Sequence, residues 1–159
     1  MRAEGSEPDF HVVLVEPEIP QNTGTTARLC AATATRLHLV GPLGFSLEDR
    51  YLRRAGLDYW PHVDLETHTD WSELVGKHPT PRLLMFSARA SHSYTSVAYR
   101  PGDFLVFGGE TRGLPREILA QHAERTYRIP MSGEAVRSLN LANAAAIVLY
   151  EALRQIGRA

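Results

Sequence analysis

Cysteine is almost missing: Cys30 is the only one in 159 residues. The chain can therefore close no internal disulfide and build no multi-thiolate zinc site, and a reducing compartment, the cytoplasm, is the expectation. Long apolar runs are missing as well. The longest charge-free stretch, Ser138 to Tyr150, is bounded by Arg137 and Glu151 and falls short of the roughly 20 residues a membrane helix requires. The opening MRAEGSEPDF carries Glu4, Glu7 and Asp9 and no apolar segment, so it does not read as a signal peptide. Neither charge dominates: seventeen Lys plus Arg stand against eighteen Asp plus Glu. Any contact with RNA or DNA must then come from a local basic patch.

Several catalytic signatures are absent too. No Gly-x-Ser-x-Gly elbow occurs, and Cys30, between Leu29 and Ala31 in a helical segment, reads as a core residue and not a nucleophile. The histidines fall at 11, 38, 62, 68, 78, 92 and 122 with no pair at i,i+4, so the expectation is no metal site. Gly108 to Gly113 has the glycine spacing of a phosphate loop, but Leu114-Pro115 stands where a Lys and a Ser or Thr would hold phosphate and magnesium. That argues against a nucleoside triphosphatase.

What is present is the composition of a globular domain, 43% apolar and 22% charged, long enough to bury its own core. Residues 1–9 are expected as a flexible tail and 10–159 as a single domain. Phe10 to Val15 reads as a buried strand ended by the turn Glu16-Pro17-Glu18-Ile19-Pro20. Asn22 and Thr23 can cap a helix through Ala34, and Leu37 to Val40 is a second strand. A basic helical segment is expected around Asp49 to Arg54 and a helix near Asp70 to Gly76. Arg82 to Ser87, Asp103 to Phe107 and Tyr127 to Pro130 read as further strands, with a helix through Ile118 and Leu119 before the last of them. The final helix, about Leu139 to Gln155, is apolar nearly all round in its first half, which predicts burial on several sides, including against a second subunit. Strands alternating with helices predict an α/β domain, a mostly parallel sheet flanked by helices.

The loop Gly108-Gly109-Glu110-Thr111-Arg112-Gly113-Leu114-Pro115 follows a strand directly, at the end where parallel sheets bind ligands. A strand-to-helix turn with a solvated Glu-Arg pair explains its glycines equally well. Arg28 alone reads as a surface arginine, Ser138 as the cap of the last helix with Asn140 in its first turn, and Arg50, Arg53 and Arg54 as either a phosphate-binding face or a solvated one.

In chain order, Asn22-Thr23-Gly24 with Arg28-Leu29-Cys30-Ala31, the loop 108–115, and Arg137-Ser138-Leu139-Asn140-Leu141-Ala142-Asn143-Ala144 resemble the three motifs of the SPOUT superfamily of RNA methyltransferases. The likeness is closest to the small TrmL-type tRNA wobble-nucleotide 2'-O-methyltransferases and extends over nearly the whole chain after residue 9. The resemblance implies a SPOUT-type fold with a C-terminal trefoil knot, which ordinary topology rules would exclude, and a cytoplasmic homodimer. It implies S-adenosyl-L-methionine as methyl donor, leaving S-adenosyl-L-homocysteine, with no metal. Matched residue by residue, the cofactor site falls on Phe86, Gly108, Ile129 and Ser138, with Glu110, Gly113, Met131 and Leu139 nearby. Arg28 takes the catalytic position, supported by Asn22 and Asn140, while Arg50, Arg53, Arg54 and Arg112 are candidates to contact RNA. Gly109 departs from the proline common in this family, and the segment Ser132 to Val136 departs from the usual loop before the third motif. The implied substrate is the anticodon stem-loop of tRNA, with the wobble cytidine or modified uridine methylated and neither DNA nor a membrane as partner. Another tRNA position, ribosomal RNA, or a non-catalytic RNA-binding role are the alternatives, because the motifs report the cofactor and not the substrate.

Overall fold

The computed structural model describes residues 5–50, 52, 54 and 59–159. Strand β1 (His11–Val15) is buried at every position, as expected of an unbroken apolar run covered on both faces. The other strands are β2 (Arg36–Val40), β3 (Leu65–His68), β4 (Leu83–Phe86), β5 (His92–Ser93), β6 (Phe104–Gly108) and β7 (Thr126–Arg128). They form one sheet in the order β3-β2-β1-β6-β4-β7-β5, with every neighbouring pair parallel. β3 and β5, the two edges, were not anticipated. Leu-Glu-Thr-His and His-Ser carry little apolar periodicity, and their pairing with β2 and β7 is what makes them strands.

Alternation along the strands divides the core. Val12, Leu14, Leu37, Leu39, Leu105 and Phe107 pack on one face with helices α1 (Pro20–Ala32) and α4 (Leu141–Gln155). Val13, Val15, Val40, Met85 and Val106 pack on the other, beneath Leu74 of α2 (Trp71–Lys77) and Ile118 of α3 (Arg116–Gln121). Cys30 is fully buried in the first layer. α4 buries Ala145, Val148, Leu149 and Ala152 but leaves Ile147 and Tyr150 exposed, at 37% and 49%.

Two helix starts differ from expectation. α1 begins at Pro20, whose fixed φ suits the first helical position, with Ile19 as N-cap and no side-chain cap of its own; Asn22 and Thr23 lie inside the helix. At α4 the cap is Asn140, not Ser138: its side chain accepts a bond from Asn143 N at 3.1 Å. The Asn22 side chain is thereby left for bonds to other parts of the molecule, and the Asn140 side chain is shared between its cap and Asn22. Within the stretch expected as a tail, Pro8 is buried and Asp9 O accepts from Gly102 N at 2.6 Å. At the N-terminal ends of β4 and β6, Arg82 makes a bidentate pair with the nearly buried Asp103, at 2.8 and 2.6 Å.

Candidate active site

Phe86 and Gly108 close β4 and β6, and Ile129 follows β7 directly. The C-terminal ends of three parallel strands thus meet, the usual ligand-binding edge of such a sheet. They border a cavity of about 840 Å³ that is also lined by the 108–114 loop and residues 137–141, a size within the ordinary range for small-molecule sites. The loop returns sharply: Gly113 N donates to Gly109 O at 3.0 Å, and Gly113 has φ +67°. Gly108 is a close approach, because a Cβ there would lie 2.1 Å from Gly113 C and Leu114 N.

A chain of hydrogen bonds joins segments far apart in sequence. The Glu110 carboxylate accepts from Glu18 N at 2.8 Å, from Ile19 N at 2.7 Å and from Asn22 Nδ2 at 3.2 Å. It therefore supplies from another part of the chain the cap that α1 lacks, and places negative charge at that helix's N-terminus, where the macrodipole favours it. Asn22 Oδ1 in turn accepts from Asn140 Nδ2 at 3.0 Å. In the reverse direction Thr111 N donates to Glu18 Oε1 at 3.2 Å, and hydrogen bonding from Thr111 holds the Glu18 carboxyl below the usual range. The β1–α1 turn, the glycine loop and the start of α4 are thus locked together around the cavity.

The lining determines what chemistry is available. Among the described lining residues Glu110 is the sole carboxylate, with no His, Cys or Lys, and both Glu110 oxygens are already engaged. Arg89, Arg112 and Arg137 are exposed around the cavity and bring positive charge to it. Phe86, stacked on Phe107 with centroids 5.1 Å apart, adds a flat apolar wall. Such a site holds and orients reactants; it offers no side chain at liberty to act as a conventional general base.

A family model described as "SpoU rRNA Methylase family" matches residues 9–150. The chain belongs to this family. It is 50% identical over 147 residues to the tRNA (cytidine(34)-2'-O)-methyltransferase of Methylovorus glucosotrophus, covering 92% of this chain and 95% of that one. A solved structure described as giving structural insights into the 2-OH methylation of C/U34 on tRNA is 50% identical, with a TM-score of 0.89 over 93% of this chain and 96% of that one. The SpoU methyltransferase AviRb from Streptomyces viridochromogenes, in complex with the cofactor AdoMet, shares the fold at 24% identity, with a TM-score of 0.83 over 98% of this chain and 64% of that one.

In this SpoU-family chain, Phe86, Gly108, Glu110, Gly113, Ile129, Met131, Ser138 and Leu139 all line the one cavity, as do Asn22, Asn140 and Arg112. Arg28 does not. It is exposed on α1, its guanidinium 4.5 Å from the centroid of the Tyr59 ring. Arg50 and Arg54 are exposed and outside the cavity lining, and Arg53 lies outside the described residues. Reading the sequence missed Arg89 and the contacts of Glu18 and Thr111. Arg89 could have been suspected from its place three residues beyond the last position of β4; Glu18 and Thr111 have no signal but their partners.

Proposed function

We propose that this SpoU-family chain transfers a methyl group from S-adenosyl-L-methionine to the 2'-hydroxyl of the wobble nucleotide, cytidine or modified uridine, in tRNA. The observation that carries the reading is the Glu110–Asn22–Asn140 chain closing a cavity without a free acid-base group, in a protein half identical to a tRNA (cytidine(34)-2'-O)-methyltransferase. The donor set fits the cofactor: Phe86, Ile129, Met131 and Leu139 offer apolar surface to a purine, Gly108 and Gly113 allow close backbone approach, and Ser138 offers a hydroxyl. When bound, S-adenosyl-L-methionine supplies an electrophilic methyl and leaves as S-adenosyl-L-homocysteine, and no metal is needed.

Arg28 lies outside the cavity lining, exposed beside Tyr59, and is the group for the RNA. A guanidinium stays protonated at any working pH, so its role is to hold a phosphate and stabilise the alkoxide as it develops. The Tyr59 ring, 4.5 Å from the guanidinium carbon, supports it by a cation–π contact. Arg50, Arg54 and Arg112, with Arg53, grip the anticodon stem backbone, which makes binding salt-dependent. A second copy covers Ile147 and Tyr150 of α4, the polypeptide carries the family's trefoil knot, and the enzyme works in the cytoplasm. The family model's description keeps ribosomal RNA as the second reading. Labelled methyl transfer to full-length tRNAs of every wobble identity and to ribosomal RNA, followed by nuclease mapping, separates the two. Label at the wobble ribose supports the proposal, and label only elsewhere rejects the substrate. Arg28→Ala is expected to lower turnover about a hundredfold or more with cofactor affinity within about threefold; equal loss of both would overturn its role.

A further inference from the structure

On the sheet face opposite α1 and α4, strand register gathers imidazoles that the reaction does not use. His38 pairs in register with Glu66, and Val40 with His68, so Glu66 and His68, two apart on β3, project to the same face as His38. His78, the C-cap of α2, closes over them. One ligand atom from each of the four lies within 4.8 Å of every other. His38 Nδ1 is 3.0 Å from His68 Nε2, His78 Nε2 is 2.8 Å from Glu66 Oε1, His68 Nε2 is 3.5 Å from Glu66 Oε1, and His38 Nδ1 is 3.9 Å from Glu66 Oε2.

We propose that His38, His68, His78 and Glu66 bind one first-row divalent cation of the zinc class, as a structural site that ties edge strand β3 to β2 and α2. Four ligands at about 2.0–2.1 Å in a tetrahedron stand about 3.3 Å apart, and the observed separations bracket that value. Three imidazoles with one carboxylate suit zinc and its neighbours and not calcium or magnesium. All four corners come from the protein, the pattern of a structural site and not of a catalytic one.

The surroundings agree. His38 Nε2 lies 2.8 Å from His11 Nδ1, which gives the ligand ring an outer partner that fixes its tautomer. His68 Nδ1 is buried and meets no hydrogen-bond partner among the described residues, so Nε2, inside the cluster, is the nitrogen that ring has to use. His78 and Glu66 keep about a quarter of their side chains exposed, and His78 borders an open depression of about 540 Å³, which gives a cation a way in. The expectation of no metal site rested on helical histidine spacing and the lone Cys30; Glu66-Thr67-His68 has the i,i+2 spacing of a strand.

The test uses tag-free, chelator-treated full-length protein titrated with zinc chloride, and with cobalt chloride as a spectroscopic probe. Expected are one equivalent bound per chain, the visible absorption of tetrahedral cobalt, and a melting temperature raised by roughly 5–10 °C when free zinc is about a hundredfold above its Kd. Glu66→Gln and His78→Gln, at the accessible rim where folding should survive, are each expected to weaken zinc binding at least about tenfold. Circular dichroism of the metal-free variants checks that they are folded. No stoichiometric binding to the parent protein, or binding undiminished in the two folded variants, overturns the proposal and leaves a hydrogen-bonded histidine chain.

Discussion

Replacing Glu110 by Gln tests the clamp around the cavity, because the change removes the charge and keeps the shape. The carboxylate faces three donors, Glu18 N, Ile19 N and Asn22 Nδ2, and no donor can be met by an amide NH2. Whichever way the Gln side chain is turned, at least one bond is lost and an N–H is set against an N–H, while the remaining bonds fall to neutral strength. Hydrogen bonds to charged groups contribute about 1.5–3 kcal/mol each and neutral ones about 1 kcal/mol. The loops are partly solvated, which favours the low end, so the net loss is about 2 kcal/mol. For a chain of this length that lowers Tm by about 4–8 °C. Differential scanning calorimetry measures it, and amide exchange at Glu18 and Ile19 should accelerate in the same variant. A Gln variant that melts within about 1 °C of the parent with both amides still protected would refute the clamp. Unchanged stability with weakened cofactor binding would make Glu110 a ligand contact instead.

Three further outcomes follow from the structure. Gly108→Ala places a methyl 2.1 Å from the Gly113 and Leu114 backbone, so the loop must move: a stability loss of about 3 kcal/mol is expected together with loss of cofactor binding by calorimetry, and retained binding would show that the loop yields freely. Asp103→Ala takes the charge partner from the Arg82 guanidinium, which is only 21% exposed and keeps its bond to Ala98 O, at a cost of about 3 kcal/mol; chemical denaturation should report this while cofactor affinity, set at the opposite ends of the strands, stays unchanged. Cys30 is fully buried and its thiol is pushed up by burial, so Ellman's reagent should react only as fast as the protein unfolds; rapid labelling of the native protein would contradict the burial.

The sequence by itself determined the α/β class and the central strands. β1 and β6 are unbroken apolar runs because both their faces are covered, and that constraint is written into consecutive residues. The three segments that line the cavity stood out only through their joint resemblance to the motifs of a known family; read one at a time they are an ordinary turn, caps and a surface arginine. The tertiary structure alone decided what those segments do to one another. Glu110 caps a helix that starts 90 residues before it, and Asn140 divides its side chain between its own helix and Asn22. Neither fact leaves a trace in periodicity, because a hydrogen bond between distant segments depends on how the strands are ordered in the sheet. The same holds for β3, a polar edge strand held by its neighbour, and for the histidines it brings beside His38. Local sequence encodes which face a residue takes once it is in a strand; the sheet order determines which other residues share that face, and with them the chemistry that becomes possible there.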